Sequence, residues 1–116
     1  MLLKLDATSG LPLYVQIAAA VRRAIADGEV SAGDRLPAAR DLARSLEVNM
    51  HTVLRAYNDL REEGIIELRR GRGAIVREGS DRSASIHALV AELAAEASRS
   101  GLSKGEVIEM LDKEFS

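Results

Sequence analysis

Residues 68–76 of the 116-residue sequence read LRRGRGAIV, and their side chains suit the binding of phosphate. Three arginines, Arg69, Arg70 and Arg72, lie within this stretch, and no acid interrupts it. A guanidinium group can form paired hydrogen bonds with phosphate oxygens. Gly71 and Gly73 allow the backbone to approach a rigid surface closely. The same residues would also suit a solvated hairpin tip, because most runs of charge simply face water.

A second group of polar residues opens a predicted helix at residues 49–52. Asn49 is a good N-cap, and a helix N-terminus offers backbone donors and partial positive charge to a phosphate. His51 and Thr52 can hydrogen-bond phosphates or base edges, whereas Met50 offers only apolar contact, for example to a thymine methyl group. Arg55 shares the outward face with His51 and can reach a phosphate. Asn49 could equally serve as a cap alone, and His51 as an ordinary exposed residue.

The sequence gives little support for an enzyme or a metal centre. It contains no Cys and only two His, which are far apart. No Ser/His/Asp arrangement and no Gly-rich phosphate loop after a strand is evident, so we expect no catalytic residues, no cofactor and no metal. No apolar run approaches the roughly 20 residues of a membrane span, and Asp6 interrupts the start where a signal peptide would be apolar. We therefore expect a cytoplasmic protein that does not enter a membrane.

The composition indicates a folded domain with an aliphatic core. Hydrophobic residues make up 47% of the chain, but it has one Phe, two Tyr and no Trp. The formal net charge is -2. Residues 1–80 carry 12 Lys and Arg against 11 Asp and Glu, whereas residues 81–116 carry 4 against 7. This excess of acid does not exclude a local basic surface, because salt confines electric fields to about 8 Å.

The periodicity of apolar residues predicts three helices and then a hairpin in residues 1–78. The first helix follows Pro12 and has an inward face made of Leu13, Ile17, Val21, Ala24 and Ile25. A short helix, AARDLARSL, and a tight turn lead to the helix that begins after Asn49, whose buried stripe is Val53, Ala56, Tyr57 and Leu60. Two short strands then flank the arginine loop. This order is typical of a winged helix-turn-helix, in which one helix reads a DNA groove and the hairpin grips the backbone.

The segment after the hairpin is expected to hold two chains together. The polar segment GSDRSAS predicts a linker over residues 79–84, and residues 85–116 predict two helices, the second with a capping box of Ser103 and Glu106. Burial against a second copy is the favoured explanation for their apolar stripes, although the first of them could instead pack on the first helix of its own chain. The candidate dimerisation residues are Ile86, Leu89, Val90, Leu93, Val107, Ile108, Leu111 and Phe115.

Residues 12–77 resemble the GntR family of bacterial transcription regulators. The resemblance rests on PLY and QI in residues 12–17, GDRLP in residues 33–37, TV at residues 52–53, GII at residues 64–66 and GRG at residues 71–73. NMHTVLRAY and the short tail look most like the YtrA subfamily. The resemblance implies that the tail dimerises, that Arg70, Gly71 and Arg72 contact DNA, and that Arg40 reaches a guanine edge. Arg40 could otherwise form an ion pair with a neighbouring acid, Asp41 or Glu47.

Three features depart from the family pattern. Ala38 stands where the family usually has a capping Ser, and Glu47 stands where the turn usually has Gly. A residue other than Gly at positive φ is mildly strained. Met50 and Leu54 stand where many members have Arg, so the base preference of relatives does not transfer.

The sequence therefore predicts a mainly α protein with a small β-hairpin, a winged helix-turn-helix followed by a two-helix dimerisation tail. We expect a sequence-specific DNA-binding transcriptional regulator, a repressor, that binds an inverted-repeat operator in double-stranded DNA as a homodimer. The alternative is a winged-helix protein-interaction module that does not bind DNA. The sequence does not identify a small-molecule effector.

Overall fold

The computed structural model of the chain describes residues 3–6 and 8–116. Within these residues, five helices and one antiparallel hairpin confirm the predicted fold class. In chain order the elements are α1 (Leu13–Ala26), α2 (Ala39–Leu46), α3 (Met50–Glu62), β1 (Ile66–Arg69), β2 (Gly73–Val76), α4 (Ser80–Arg99) and α5 (Lys104–Phe115).

The core is aliphatic, as the composition predicts, and α1 and α3 together supply half of its buried residues among those described. Ile17, Val21 and Ile25 of α1 are almost fully buried. The predicted stripe of α3 is also confirmed, since its buried residues are Val53, Ala56, Tyr57 and Leu60. The hairpin closes one side of this core with Ile65, Ile66, Ala74 and Val76. Each large aliphatic side chain buried in this way stabilises the fold by about 1.5–3 kcal/mol.

Both departures from the family pattern around α2 have structural consequences. Ala38 is the N-cap of α2 and offers no side-chain hydrogen bond to the first turn. Glu47 ends the helix in the left-handed region with φ of 58°, and it is the one non-glycine residue with positive φ among the described residues. Its amide still donates to the carbonyl of Arg44 over 3.3 Å, and the amide of Val48 donates to the carbonyl of Ala43 over 3.0 Å. The turn into α3 is therefore formed without glycine.

The hairpin is fastened to the segment that leads into α2. The amides of Gly33 and Leu36 donate to the carbonyls of Val76 and Ala74, each over 2.8 Å, and the amide of Val76 donates to the carbonyl of Asp34 over 2.9 Å. Residues 33–36 thus run beside β2 like a third strand. We call β1, β2 and the intervening residues 70–72 the wing. Its position is fixed relative to the start of α2.

The prediction of a linker over residues 79–84 is wrong, because α4 begins at Ser80. Gly79 caps it with φ of 75°, and Ser80, Ala84 and Ala88 are buried where α4 packs against α1. These small residues recur every four positions, so they form one face of a helix that can approach α1 closely. The serine-rich composition indicated a flexible segment, but burial of this face against the core favours the helix.

The two tail helices otherwise follow the prediction. α4 ends at Arg99, and the capping box that starts α5 is formed, with Ser103 Oγ accepting from the amide of Glu106 and the Glu106 carboxylate accepting from the amide of Ser103. The intrachain alternative is correct in part, since α4 does pack on α1. It does so through its alanine face, and the predicted stripe of larger residues lies on the opposite face.

Tyr57 provides a test of the packing between α3 and the segment before α2. Its hydroxyl donates to the carbonyl oxygen of Pro37 over 2.7 Å, and burial raises the pKa of Tyr57 to about 12 from 10.0. We expect Tyr57→Phe to lower the free energy of unfolding by about 1 kcal/mol at neutral pH, because the Pro37 carbonyl loses its donor. Because the pKa is raised on folding, the hydroxyl contributes fully to the free energy of unfolding below pH 10. This contribution is progressively lost as the pH rises to about 12.

Denaturant unfolding at several alkaline pH values measures this effect. Between pH 10 and about pH 12, the free energy of unfolding should fall more in the wild type than in Tyr57→Phe. Tyr14→Phe is the matched control, because the Tyr14 hydroxyl has no hydrogen-bond partner among residues 3–6 and 8–116. Equal alkaline losses in the wild type and Tyr57→Phe would contradict the assigned cause.

Candidate nucleic-acid interface

The N-terminus of α3 is capped and open to solvent. The side-chain oxygen of Asn49 accepts a hydrogen bond from the amide of His51 over 2.8 Å, so Asn49 does serve as the cap. Met50 and His51 are exposed, and Thr52 is half-buried. The helix therefore presents one imidazole, one hydroxyl and one thioether around an end that carries partial positive charge.

Two apolar side chains are exposed in the first two turns of α3, among otherwise polar and charged neighbours. Met50 is 39% exposed and Leu54 is 41% exposed, and the two lie one turn apart beside the buried stripe. Further along, Arg61 donates two hydrogen bonds to the side-chain oxygen of Asn58, at 3.2 and 2.7 Å. The first two turns thus offer methyl and methylene groups, and the last turns offer a fixed guanidinium.

Arg55 does not extend freely from α3. Its guanidinium carbon lies 3.8 Å from the centre of the Tyr14 ring of α1. A cation over an aromatic face is stabilised by about 0.5–1 kcal/mol at an exposed site. Tyr14 therefore holds the Arg55 side chain in one direction while leaving its charge exposed. This partner was not predicted from the sequence, because no local pattern connects residues on two helices that lie so far apart along the chain.

Arg40 occupies the first turn of α2, and its side chain is exposed. The ion pairs with Asp41 or Glu47 that the sequence left open are not formed, as no carboxylate of the described residues lies within salt-bridge distance of Arg40. The hydroxyl of Tyr57 fixes the carbonyl of Pro37 just before this helix. The start of α2 is thereby positioned by α3, and the Arg40 guanidinium remains available.

The three wing arginines are not equivalent. Arg69 forms an ion pair with Glu67 on the same strand, with N and O atoms 2.7 Å apart. In the part of the chain that the structure describes, Arg70 and Arg72 have no such acidic partner. The turn is closed by the amide of Arg72 donating to the carbonyl of Arg69 over 3.0 Å, with Gly71 at φ of 81°. Arg70 and Arg72 are therefore the two uncompensated charges of the wing tip.

Arg35 ties the wing tip to the approach to α2. Its Nε atom donates to the carbonyl oxygen of Arg72 over 2.5 Å. A groove runs between these elements and is lined by Arg35, Leu36, Pro37, Ala38, Asp41, Arg72 and Gly73. Arg72 and the first turn of α2 thus lie beside the same groove. Arg35 was not among the predicted site residues, although its position in GDRLP of residues 33–37 could have indicated a bracing role.

The tail presents the predicted dimerisation residues to solvent. Ile86, Leu89 and Val90 are each more than half exposed, Leu93 and Val107 are half-buried, and Phe115 is 89% exposed. Ile108, Leu111 and an additional residue, Met110, are also exposed. We refer to these residues of α4 and α5 as the tail apolar surface.

Metal sites and membrane spans are both missing from the part of the chain that the structure describes. Among residues 3–6 and 8–116, no group of three or more His, Cys, Asp or Glu side chains is arranged to hold a metal ion. In the same residues, no helix has the length and apolar character needed to cross a bilayer.

A helix-turn-helix formed by α2 and α3, followed by a hairpin with an arginine-rich tip, defines a winged helix-turn-helix protein. Residues 13–76 match the family described as bacterial regulatory proteins, gntR family. Because this match covers more than half of the chain, the chain belongs to the GntR family, and the predicted resemblance is confirmed. The family consists of transcriptional regulators and not of enzymes.

Three similar proteins extend this comparison. The HTH-type transcriptional repressor YtrA of Bacillus subtilis (strain 168) is 38% identical over 79 residues, which are 68% of this chain and 61% of that protein. The chain thus spans less than two thirds of that relative. The structure of YtrA from Sulfolobus acidocaldarius, a GntR-family transcription factor, matches with a TM-score of 0.62 and 36% identity over 97% of this chain and 96% of that one. The AraR DNA-binding domain in complex with operator ORE1 matches with a TM-score of 0.56 and 25% identity over 66% of this chain and 93% of that one.

Proposed function

We propose that this chain is a sequence-specific DNA-binding repressor that acts in the cytoplasm as a homodimer on an inverted-repeat operator. The observation that carries the proposal is the joint presentation of two uncompensated arginines, Arg70 and Arg72, and the open N-terminus of α3 on one braced framework. Family membership and a similar protein solved with its operator support DNA as the partner. The Bacillus subtilis relative is named as a transcriptional repressor, and its similarity to this chain supports repression.

In this proposal some residues contact the DNA backbone and others contact the bases. Arg70 and Arg72 bind phosphates, and the backbone at Gly71 approaches the DNA closely. Arg55, aimed by Tyr14, supplies a further phosphate contact. Phosphate contacts set the position of the protein on DNA without reading its sequence. Arg40 reads a guanine edge, while Asn49, His51 and Thr52 contact phosphates or base edges at the opening of α3.

The exposed Met50 and Leu54 favour a specific kind of base contact. Apolar side chains in the major groove meet the methyl group of thymine, so each half-site should include a thymine opposite this face. The same two residues are the observation that favours the alternative function, because exposed apolar side chains also suit a protein partner. Binding to duplex DNA separates the two functions.

The tail apolar surface supports a second copy of the chain as its cover. No residue of α5 is buried in the described chain, so this 12-residue helix makes little contribution to the core. An isolated helix of about this length is marginal in water, and its exposed Ile108, Leu111 and Phe115 need a cover. A twofold interface in which α4 and α5 of two copies meet would bury both helices.

A selection from random duplexes tests the proposed function. We expect enrichment of an inverted repeat with half-sites about 10 bp apart, centre to centre, since two symmetric α3 helices enter the major groove one turn apart. Each half-site should contain a guanine whose enrichment disappears when the selection is repeated with Arg40→Ala. Enrichment of no sequence by a folded dimer would favour the protein-interaction alternative.

The difference between Arg69, which is paired with Glu67, and the unpaired Arg70 and Arg72 of the described chain gives a second test. Arg70→Ala and Arg72→Ala should each weaken binding to specific and random duplexes alike, because phosphate contacts do not discriminate sequence. The slope of log affinity against log salt should fall by about one for each phosphate that the variant no longer binds. Arg69→Ala is the matched control, as its charge is already paired with Glu67, and it should change the slope less. A slope unaltered in both test variants would argue against wing contact with phosphate.

The dimer is tested through one exposed position. Light scattering of the wild type should give about twice the chain mass of 12.5 kDa. Val90→Glu should shift the protein to monomer, since a carboxylate would have to be buried unpaired in the interface. Ser45→Glu introduces the same side chain on the exposed surface of α2 and should leave the mass unchanged. A dimer undiminished in Val90→Glu would contradict an interface through the tail apolar surface.

A further inference from the structure

The residue that directly follows α3 contacts both α1 and α4. Glu63, the C-cap of α3, accepts two hydrogen bonds from Arg22 of α1, from Nε at 2.7 Å and from the terminal guanidinium nitrogen at 2.6 Å. The two side chains, of Arg22 and Glu63, are only 13% and 15% exposed. A paired contact with this little solvent is more strongly directional than an open surface ion pair.

α4 supplies the third member of this cluster. The Nε2 atom of His87 lies 3.6 Å from Oε1 of Glu63, and its Nδ1 atom lies 2.8 Å from the carbonyl oxygen of Ser83. A carbonyl oxygen can only accept, so Nδ1 carries a proton in this contact. The imidazole is therefore oriented by its own helix, with Nε2 facing the Glu63 carboxylate, and Nε2 attracts that carboxylate only when the ring carries its second proton. We call Arg22, Glu63 and His87 the Glu63 junction.

Backbone contacts join the same two regions. The amide of Arg77 donates to the carbonyl of Ile65 over 3.0 Å, and the amide of Ser80 donates to the carbonyl of Arg77 over 3.2 Å. The chain thus leaves α3, forms the wing and returns to begin α4 beside the residues that follow α3. Together with the buried Ser80 and Ala84, these bonds allow no free segment between the DNA-binding elements and the tail.

We infer that the Glu63 junction fixes the angle between α3 and α4 and thereby makes the protein selective for the spacing of its two half-sites. This inference rests on the proposed function, because it takes the tail as the dimer interface and α3 as the reading helix. In a twofold dimer held through α4 and α5, the orientation of α4 relative to α3 determines where the two reading helices point. Glu63 and His87 are accordingly positioning residues, which act on DNA through α3.

Another ion pair between α1 and α4 supplies the control. Arg23 pairs with Glu92, but both side chains are about half exposed, and among the described residues neither forms a side-chain hydrogen bond or ion pair with α3. Glu92→Gln removes a carboxylate from the same helix pair without altering the junction. Glu63→Gln makes the identical chemical change at the junction. His87→Leu removes the imidazole contacts with Glu63 and with the Ser83 carbonyl, and it leaves the pair of Arg22 and Glu63 in place.

The test compares affinities of full-length protein for the duplex recovered by the selection and for duplexes with one or two base pairs inserted between its half-sites. The ratio of these affinities is the readout, because a loss of folded protein lowers all of them equally. Wild type and Glu92→Gln should prefer the selected spacing. Glu63→Gln should reduce this preference by at least about fivefold, within the usual range of coupling between sites, and His87→Leu should reduce it to a smaller extent.

The inference would be overturned if Glu63→Gln and His87→Leu preferred the selected half-site spacing as strongly as Glu92→Gln does. His87→Leu decides the question if Glu63→Gln does not fold. Amide hydrogen exchange without DNA provides a separate readout, in which Glu63→Gln should accelerate exchange in residues 83–90 and Glu92→Gln should not. If the wild type selects no duplex, the proposed function fails, but amide exchange still tests the Glu63 junction. Equal exchange in Glu63→Gln and Glu92→Gln would then overturn the role of this junction in holding α4 against α3.

Discussion

The burial of α1 on two sides is the constraint on which the rest of the structure depends. Ile17, Val21 and Ile25 pack into the core shared with α3 and the hairpin, while the alanine face of α4 covers another side of the same helix. Because interiors are close-packed, a helix enclosed in this way cannot shift without opening voids on both sides. α1 itself supplies none of the proposed DNA contacts, although its Tyr14 holds the Arg55 side chain. It sets the positions of the elements that do.

The candidate interface is stiffened by contacts outside the residues proposed to meet DNA. Arg35 holds the wing tip, Tyr57 holds the approach to α2, and Tyr14 holds the Arg55 guanidinium. Ordering a long side chain on binding costs about 0.5–1.5 kcal/mol. Contacts that already restrict these groups in the free protein reduce that cost. They also limit which surfaces the arginines can match, and this limitation is a source of selectivity.

The parts of the fold that depend on local order could be predicted from the sequence. The stripe of α3, the Asn49 cap, the Ser103–Glu106 capping box and the turn at Glu47 all follow from residues a few positions apart. The exposure of the residues at the start of α3 and at the tip of the wing could be predicted to the same degree, because these residues belong to single elements, whereas their contact with DNA stays a prediction. The start of α4 was not predicted, because Ser80 and Ala84 are helical on account of the α1 surface that covers them. Arg35, Tyr14 and the Glu63 junction depend on contacts between distant segments, and no periodicity reveals such partners.

The uneven distribution of charge has a physical consequence for a DNA-binding role. Residues 81–116 carry 7 acidic and 4 basic residues, whereas Arg70 and Arg72 at the wing tip have no acidic partner among the residues described. At physiological salt a field decays over about 8 Å, so the tail does not neutralise a wing tip farther away than this. If the proposed function is correct, phosphates would be attracted to the wing tip and would find a net negative charge on residues 81–116. In the proposed complex this charge pattern would favour an orientation with the wing tip, and not the tail, against the DNA.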